Sequence, residues 1–298
     1  MFNQKISGSN LLLWYQEAVK IARDQNISVS ELDCLLQEFT NLDSLAIKLK
    51  GYQNKEEILS KKTLLELKNL WQLRTEKKYP LQYLIGKCYW RDLELKVSAD
   101  VLIPRPETEL IIDIAMDVCK SFPTLKTGLW ADLGTGSGAI ALALAKSFPQ
   151  AHIHAIDQST SALGIAQENA HNLGLSEKIT FHQGSWFEPL SSLKNQLSGI
   201  LSNPPYIPSN MVPTLQPEVA HHEPKTALDG GEDGLRDIRI IVDQAPQFLI
   251  ENGLLIIEIM AGQAPQVCQI IESTHQYHSI QTHTDLAQID RFVVAHKK

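Results

Sequence analysis

The run ADLGTGSGAIAL, residues 131–142, decides the fold. Apolar Leu129 and Trp130 precede it as the body of a strand, and GAIALALAKSF (138–148) continues it with helical spacing. A glycine-rich turn has meaning in that setting, because strand, turn and helix together make a nucleotide-type site. Gly134 and Gly136 permit positive φ and close approach of a ligand, and Gly138 lets the helix pack tightly.

Working outward, short apolar runs recur at LWADL (129–133), HIHAI (152–156), KITFH (178–182), GILSN (199–203) and LLIIEI (254–259). Helical stretches such as STSALGIAQENAHNL (159–173) lie between the early ones. This alternation predicts an α/β domain built on a largely parallel sheet with helices on both faces. HSIQTHTD (278–285) and DRFVVAHK (290–297) have no helix between them, and they are expected to finish the sheet as an antiparallel pair.

The first eighty residues read as helices only. LLLWYQEAVKIA puts Leu11, Leu12, Trp14, Tyr15, Val19 and Ala22 near one stripe. Ser28 and Glu31 have capping-box spacing, and a third helix carries Leu64, Leu67, Leu70, Trp71 and Arg74. The reading is therefore a helical docking domain at 1–80, a β-hairpin linker at 81–104 turning at Arg91 and Asp92, and a catalytic domain at 105–298. Pro104 and Pro106 hold an extended arm, and a helix is expected to open at Pro106. Residues 203–234 form a long proline-rich run without evident elements, which inside an α/β domain points to function.

Bulk properties exclude several classes. A net charge of -7 argues against broad nucleic-acid binding. The four scattered cysteines form no CxxC pair, so reduced thiols are expected, with neither disulfides nor zinc. The histidines have no accompanying ligands, and no metal is expected. MFNQKISGSN has no apolar core, and no run is long enough to span a bilayer, so a cytoplasmic protein without a membrane partner is expected.

The turn alone fits a dinucleotide too, since Gly134, Gly136 and Ala139 satisfy GxGxxA. Two features favour S-adenosylmethionine. Asp132 would sit badly beside a pyrophosphate, yet it suits a sulfonium ligand with an amino-acid tail. The second feature is Asn203-Pro204-Pro205-Tyr206 at the end of the fourth strand. Asp157, ending the second strand, can accept both ribose hydroxyls, and Trp186 falls where an adenine would lie.

The tetrapeptide suits an NH2 acceptor conjugated to an sp2 carbon. Such a nitrogen is a poor nucleophile, and removing its proton first is prohibitively costly at neutral pH. The Asn203 side-chain oxygen and the Pro204 carbonyl can each accept one N–H, while Tyr206 offers a ring face for stacking. An amide and a nucleobase amine fit this chemistry equally well.

With both motifs in place, the chain resembles the protein-(glutamine-N5) methyltransferases that modify peptide chain release factors. The resemblance rests on PLQYLIG (80–86), VLIPRPETE (101–109), DLGTGSGAIALALA (132–145), NPPYIP (203–208) and EPKTALDGGEDGL (223–235), in that order. It implies a Rossmann-like, seven-stranded methyltransferase domain behind a helical bundle and hairpin. It also implies the glutamine of a Gly-Gly-Gln loop on class 1 release factors as acceptor, held by Asn203, Pro204, Pro205 and Tyr206. Cofactor contacts would come from Asp132, Gly134, Thr135, Gly136, Ser137, Gly138, Asp157, Trp186 and Asn203, with S-adenosylhomocysteine as product. A monomer that does not bind nucleic acid directly is the expected state. Two departures from the family pattern are Ser185, where an acidic residue is frequent, and Met260, where glycine is common.

Three rival readings share these motifs. They are a glutamine methyltransferase of a ribosomal protein, an N6-adenine or N4-cytosine nucleic-acid methyltransferase, and a non-catalytic module docking on translation factors. The IPRPETE arm and the 223–235 block favour release factors, and the acidic chain disfavours nucleic acid.

Overall fold

The structure, a computed structural model, describes residues 2–298, which divide into two compact units. One comprises the chain up to Gly86 together with Pro217–His222, and the other comprises Lys87–Gln216 and Glu223–Lys298.

In the smaller unit the helices Gly8–Asp24, Val29–Phe39 and Leu64–Glu76 bury Leu11, Trp14, Ala18, Leu32, Leu35, Leu36, Leu67 and Trp71 in one core. The Trp71 indole N–H donates to the Ala18 carbonyl at 3.3 Å. The capping box falls at Thr63 and Glu66. Ser28 caps only the Ser30 N–H, because the Glu31 carboxylate is taken by Arg74, whose Nη2 donates to Oε1 at 3.0 Å. Arg74 is buried and also donates to Glu218 Oε1 at 2.8 Å, within the helix Pro217–His222. Burial alone would lower the Arg74 pKa, but the two carboxylates outweigh it and raise it.

The all-helical expectation for this region needs correction. β1 (Gln4–Ile6) and β2 (Ile58–Ser60) pair antiparallel, with Gln4 opposite Ser60 and Ile6 opposite Ile58. Three residues per strand are too few for a period of two to stand out, and the partners are far apart in sequence.

The larger unit opens with the hairpin β3 (Lys87–Trp90) and β4 (Leu93–Lys96), turning at Arg91 with φ +51°. After the arm, Pro106–Glu109 form a 3-10 turn and the α-helix runs from Leu110 to Ser121. Five strands follow: β5 (Leu129–Leu133), β6 (His152–Asp157), β7 (Ile179–Gln183), β8 (Leu197–Ser202) and β9 (Leu249–Glu258). β10 (Tyr277–Thr284) and β11 (Asp290–Lys297) complete the sheet in the order β10-β11-β9-β8-β5-β6-β7. β7, β6, β5, β8 and β9 are mutually parallel, and β11 is antiparallel to both β9 and β10.

The strand order reverses at β5, whose neighbours β6 and β8 lead away on opposite sides. That reversal opens a crevice at the carboxyl ends of the strands, where open α/β sheets bind ligands. The central strands are covered on both faces, which is why they read as continuous apolar runs. One core cluster joins Ala131, Leu133, Ile200, Leu255 and Ile257 of the sheet to Ile238, Ile241 and Val242 of the helix Arg236–Gln244.

Residues 203–235 carry more order than their composition suggests. They include 3-10 turns at Val212–Thr214 and Lys225–Ala227, and a parallel bridge joins Ile207 to Asp229. Among the described residues, no helix is long and apolar enough to cross a membrane, and no cluster of three or more metal-ligating side chains occurs.

Candidate active site

A cavity of about 510 Å3 opens in the larger unit, lined by Gly134, Gly136, Asp157, Trp186, Asn203 and Pro205 among others. Its floor is the turn after β5. Gly134 and Thr135 both donate their backbone N–H to the Ile156 carbonyl at 2.9 Å, fastening the turn to β6. Gly138 starts the helix Ala139–Ser147 at φ +86°, and a Cβ there would stand 3.1 Å from the Ala166 Cβ. Asn169 ties this turn to the hairpin: its Nδ2 donates to the Ser137 and Lys96 carbonyls, and its Oδ1 accepts from the Lys96 N–H at 2.7 Å.

Asp157 stands at the end of β6 facing the cavity. Oδ2 accepts from the Gly136 N–H and Oδ1 from the Ser159 N–H, each at 2.9 Å. Burial raises its pKa, opposed by these backbone donors. Ser159 caps the next helix by accepting from the Ala162 N–H at 3.2 Å, so Asp157 is not needed there, and the backbone donors of Gly136, Gln158 and Ser159 still leave its carboxylate capacity to accept from a ligand.

Asp132 is fully buried and does not line the cavity. Its Oδ2 accepts from the Thr135 hydroxyl at 2.6 Å and the Ala141 N–H at 3.0 Å, while Oδ1 has no partner. Burial pushes its pKa up to about 7 against those two hydrogen bonds. Thr135 and Ser137 are likewise buried, and with Gly138 they shape the turn from behind.

Trp186 adopts φ +48°, which turns its indole between the core cluster and the cavity, close beside Gly134. Ser185 also lines the cavity, and its N–H donates to Glu188 Oε2 at 3.1 Å.

Asn203 and Pro205 reach the cavity from the end of β8, while Pro204 is buried and Tyr206 lies behind. Asn203 Nδ2 donates to the Thr108 hydroxyl at 3.2 Å, leaving the amide oxygen free to accept. The Tyr206 hydroxyl donates to Glu258 Oε1 at 3.1 Å, so that ring is fixed from below. Glu258 ends β9, is fully buried, and has its pKa pushed up to about 7 by burial. Tyr206 is raised as well, by burial first and by Glu258 second.

The 223–235 block wraps this tetrapeptide in backbone. The Ile207 N–H donates to the Leu228 carbonyl at 3.0 Å, and the Gly230 N–H donates back to the Ile207 carbonyl at 2.9 Å. At Gly234, φ is +75° and a Cβ would lie 2.3 Å from the Tyr206 carbonyl oxygen, so no side chain fits. The same carbonyl accepts from Gln263 Nε2 at 3.0 Å, and Gln263 Oε1 accepts the Met260 N–H at 3.0 Å. Met260 is not among the residues of positive φ, so nothing in its backbone demands glycine. From the arm, Arg105 Nη2 donates to buried Glu223 Oε1 at 2.7 Å, and the Trp90 indole N–H holds the Arg105 carbonyl at 2.8 Å.

Sequence reasoning missed Thr108, Glu223, Asn169, Gln263 and Glu258. Thr108 lies in VLIPRPETE and Glu223 opens EPKTALDGGEDGL, and Glu258 is a lone acid in the apolar run LLIIEI, a pattern that marks a buried carboxylate. Asn169 sits in an ordinary helix and Gln263 just ahead of one, neither with a distinguishing pattern.

The residues present suit S-adenosylmethionine. An unpartnered buried carboxylate oxygen beneath the glycine turn fits a cationic amino-acid ligand. A carboxylate with spare lone pairs at the end of β6 fits a ribose, and an indole on the wall fits a purine.

Residues 111–222 match the family described as Methyltransferase small domain. The chain is 48% identical over 291 residues to the release factor glutamine methyltransferase of Synechocystis sp., covering 97% of each. It is 44% identical to the protein of that name from Thermosynechococcus vestitus, covering 97% of this chain and 99% of that one. Among solved structures, the hMettl16 catalytic domain in complex with a MAT2A 3'UTR hairpin superposes with a TM-score of 0.57. That match has 11% identity and covers 87% of this chain and 88% of that one, a likeness of fold alone.

Proposed function

We propose that this chain, which belongs to the release factor glutamine methyltransferase family, transfers a methyl group from S-adenosylmethionine to a glutamine side-chain nitrogen. The acceptor is the glutamine of the Gly-Gly-Gln loop of class 1 release factors. When bound, S-adenosylmethionine supplies a methyl carbon on a sulfonium, an electrophile that leaves a neutral thioether. Asp157 holds the ribose, Trp186 the adenine face, and the turn from Gly134 to Gly138, with Asp132 beneath it, the amino-acid tail.

The observation that carries the reading is the state of Asn203. Its amide nitrogen is already committed to Thr108, so its oxygen is left to accept an N–H from the acceptor. The Pro204 carbonyl takes the second N–H. With both protons held, the acceptor nitrogen presents its lone pair to the methyl group without prior deprotonation; as the N–C bond forms the C–S bond breaks, and one of the two N–H protons is then released to water. Tyr206 backs the acceptor site from behind, its hydroxyl anchored on Glu258. The smaller unit docks the release factor, and the enzyme acts as a monomer in the cytoplasm, where translation takes place.

Labelled S-adenosylmethionine and purified release factor test the reading, with a Gln→Ala change in the Gly-Gly-Gln loop as control. Wild-type release factor should take up label and the control should not. Asn203→Ala should lower kcat by roughly 100- to 1,000-fold while cofactor affinity stays near wild type. Label on the control, or on nucleic acid in place of release factor, would overturn the assignment.

A further inference from the structure

We propose that Thr108 is a positioning residue that sets which end of the Asn203 amide faces the acceptor, and that Glu258 fixes the direction of the hydrogen bonds behind it. The inference rests on the amide-acceptor reading above.

An asparagine lining a cavity has two nearly isosteric orientations, and only one is useful here. With oxygen forward it accepts an acceptor N–H; with nitrogen forward it opposes one donor with another. The choice falls to whatever Nδ2 meets behind it, and it meets the Thr108 hydroxyl at 3.2 Å. Thr108 is 3% exposed, so its own proton must also find a partner inside the protein. The buried Glu258 carboxyl is the group it faces, and the Tyr206 hydroxyl donates to Oε1 of that carboxyl at 3.1 Å. Asn203 thus donates to Thr108 and Tyr206 to Glu258, while the buried Glu258 Oε2, which has no partner, is the acceptor left for the Thr108 proton.

An ionised carboxylate only accepts, which forces that direction on the whole chain. Once protonated, Glu258 gains a donor of its own. The Thr108 hydroxyl can then turn and donate toward Asn203, which favours the reversed amide. Three charged or titratable groups act on Glu258. Glu107, from the 3-10 turn, raises its pKa, while Arg291 on β11 and the Tyr206 hydroxyl lower it. Arg291 is itself paired with Asp285 at 3.0 Å. Burial is the largest influence and places the transition at about 7. Methyl transfer should therefore rise with pH through that value.

The test is a double-mutant cycle on the full chain, read as kcat for release factor methylation with cofactor affinity measured separately. Thr108→Val keeps the shape and removes the hydroxyl, so kcat should fall roughly 10- to 100-fold with cofactor affinity unchanged. Thr108→Ser should restore most of it. In an Asn203→Ala background, Thr108→Val should cost nothing further, because no amide remains to orient. Glu258→Gln should abolish the rise of kcat through pH 7. Full activity in Thr108→Val, or losses that multiply in the double variant, would overturn the inference. If Thr108→Val is too unstable to assay, the Glu258→Gln pH profile and Thr108→Ser decide the same question. Failure of the wild-type chain to label release factor would instead overturn the acceptor assignment, so the two failures are distinct.

Discussion

Asp132→Asn should make the ligand-free protein more stable and its cofactor weaker-bound, a pairing that a merely structural aspartate would not give. The side chain is fully buried, Oδ2 accepts two hydrogen bonds, and Oδ1 accepts none. Burial raises the pKa from 3.8 to about 7. The folded protein therefore holds this proton at pH values where the unfolded chain has lost it. Stability falls as pH rises from about 4 to 7 and levels off once the folded form ionises too. Three pKa units correspond to a ceiling of roughly 4 kcal/mol.

Asparagine keeps an oxygen for Thr135 and Ala141 and never ionises. The variant should match wild type near pH 4 and exceed it progressively, up to that ceiling, by pH 8. Urea unfolding of the ligand-free proteins at several pH values, followed by tryptophan fluorescence, reads the difference directly. Glu258 titrates in the same range but is common to both proteins and cancels. Isothermal titration should find S-adenosylmethionine bound about tenfold more weakly by the variant, as expected when a buried negative charge beneath the glycine turn is removed from behind a cationic ligand. A stability difference that stays constant from pH 4 to 8, or a variant less stable at pH 8, would refute the reasoning.

Gly234→Ala should cost at least about 2 kcal/mol and most of the activity, because a residue at φ +75° would press its Cβ on the Tyr206 carbonyl. Chemical denaturation and the methylation assay check the two halves of that statement. Arg74→Met should destabilise the smaller unit, since it leaves Glu31 and Glu218 facing each other without their cation. Both carboxylates are about a quarter exposed, so water recovers part of the loss and about 2 kcal/mol is expected. Thermal unfolding of the variant against wild type measures the loss.

What the sequence made legible divides by the range of the interaction behind each feature. The parallel sheet was readable because its strands are covered on both faces and show it as short apolar runs. The glycine turn was readable because strand, turn and helix are contiguous. Asn203 and Pro204 were readable for the same reason, since the two acceptors proposed for one NH2 group are adjacent in the chain.

The supports of those residues come from far along the chain. Thr108 stands 95 positions before Asn203, Glu258 stands 52 after Tyr206, and Glu223 meets Arg105 across 118. No periodicity connects such pairs, and a threonine or a glutamate alone carries little information. The β1–β2 pairing was lost in the same way, two three-residue strands being brought together only by the fold. A short motif can therefore specify which atoms meet the substrate, while the direction in which those atoms point is settled by distant buried partners. Asn203 illustrates this: its identity is local, but the outward turn of its oxygen depends on Thr108 accepting its nitrogen.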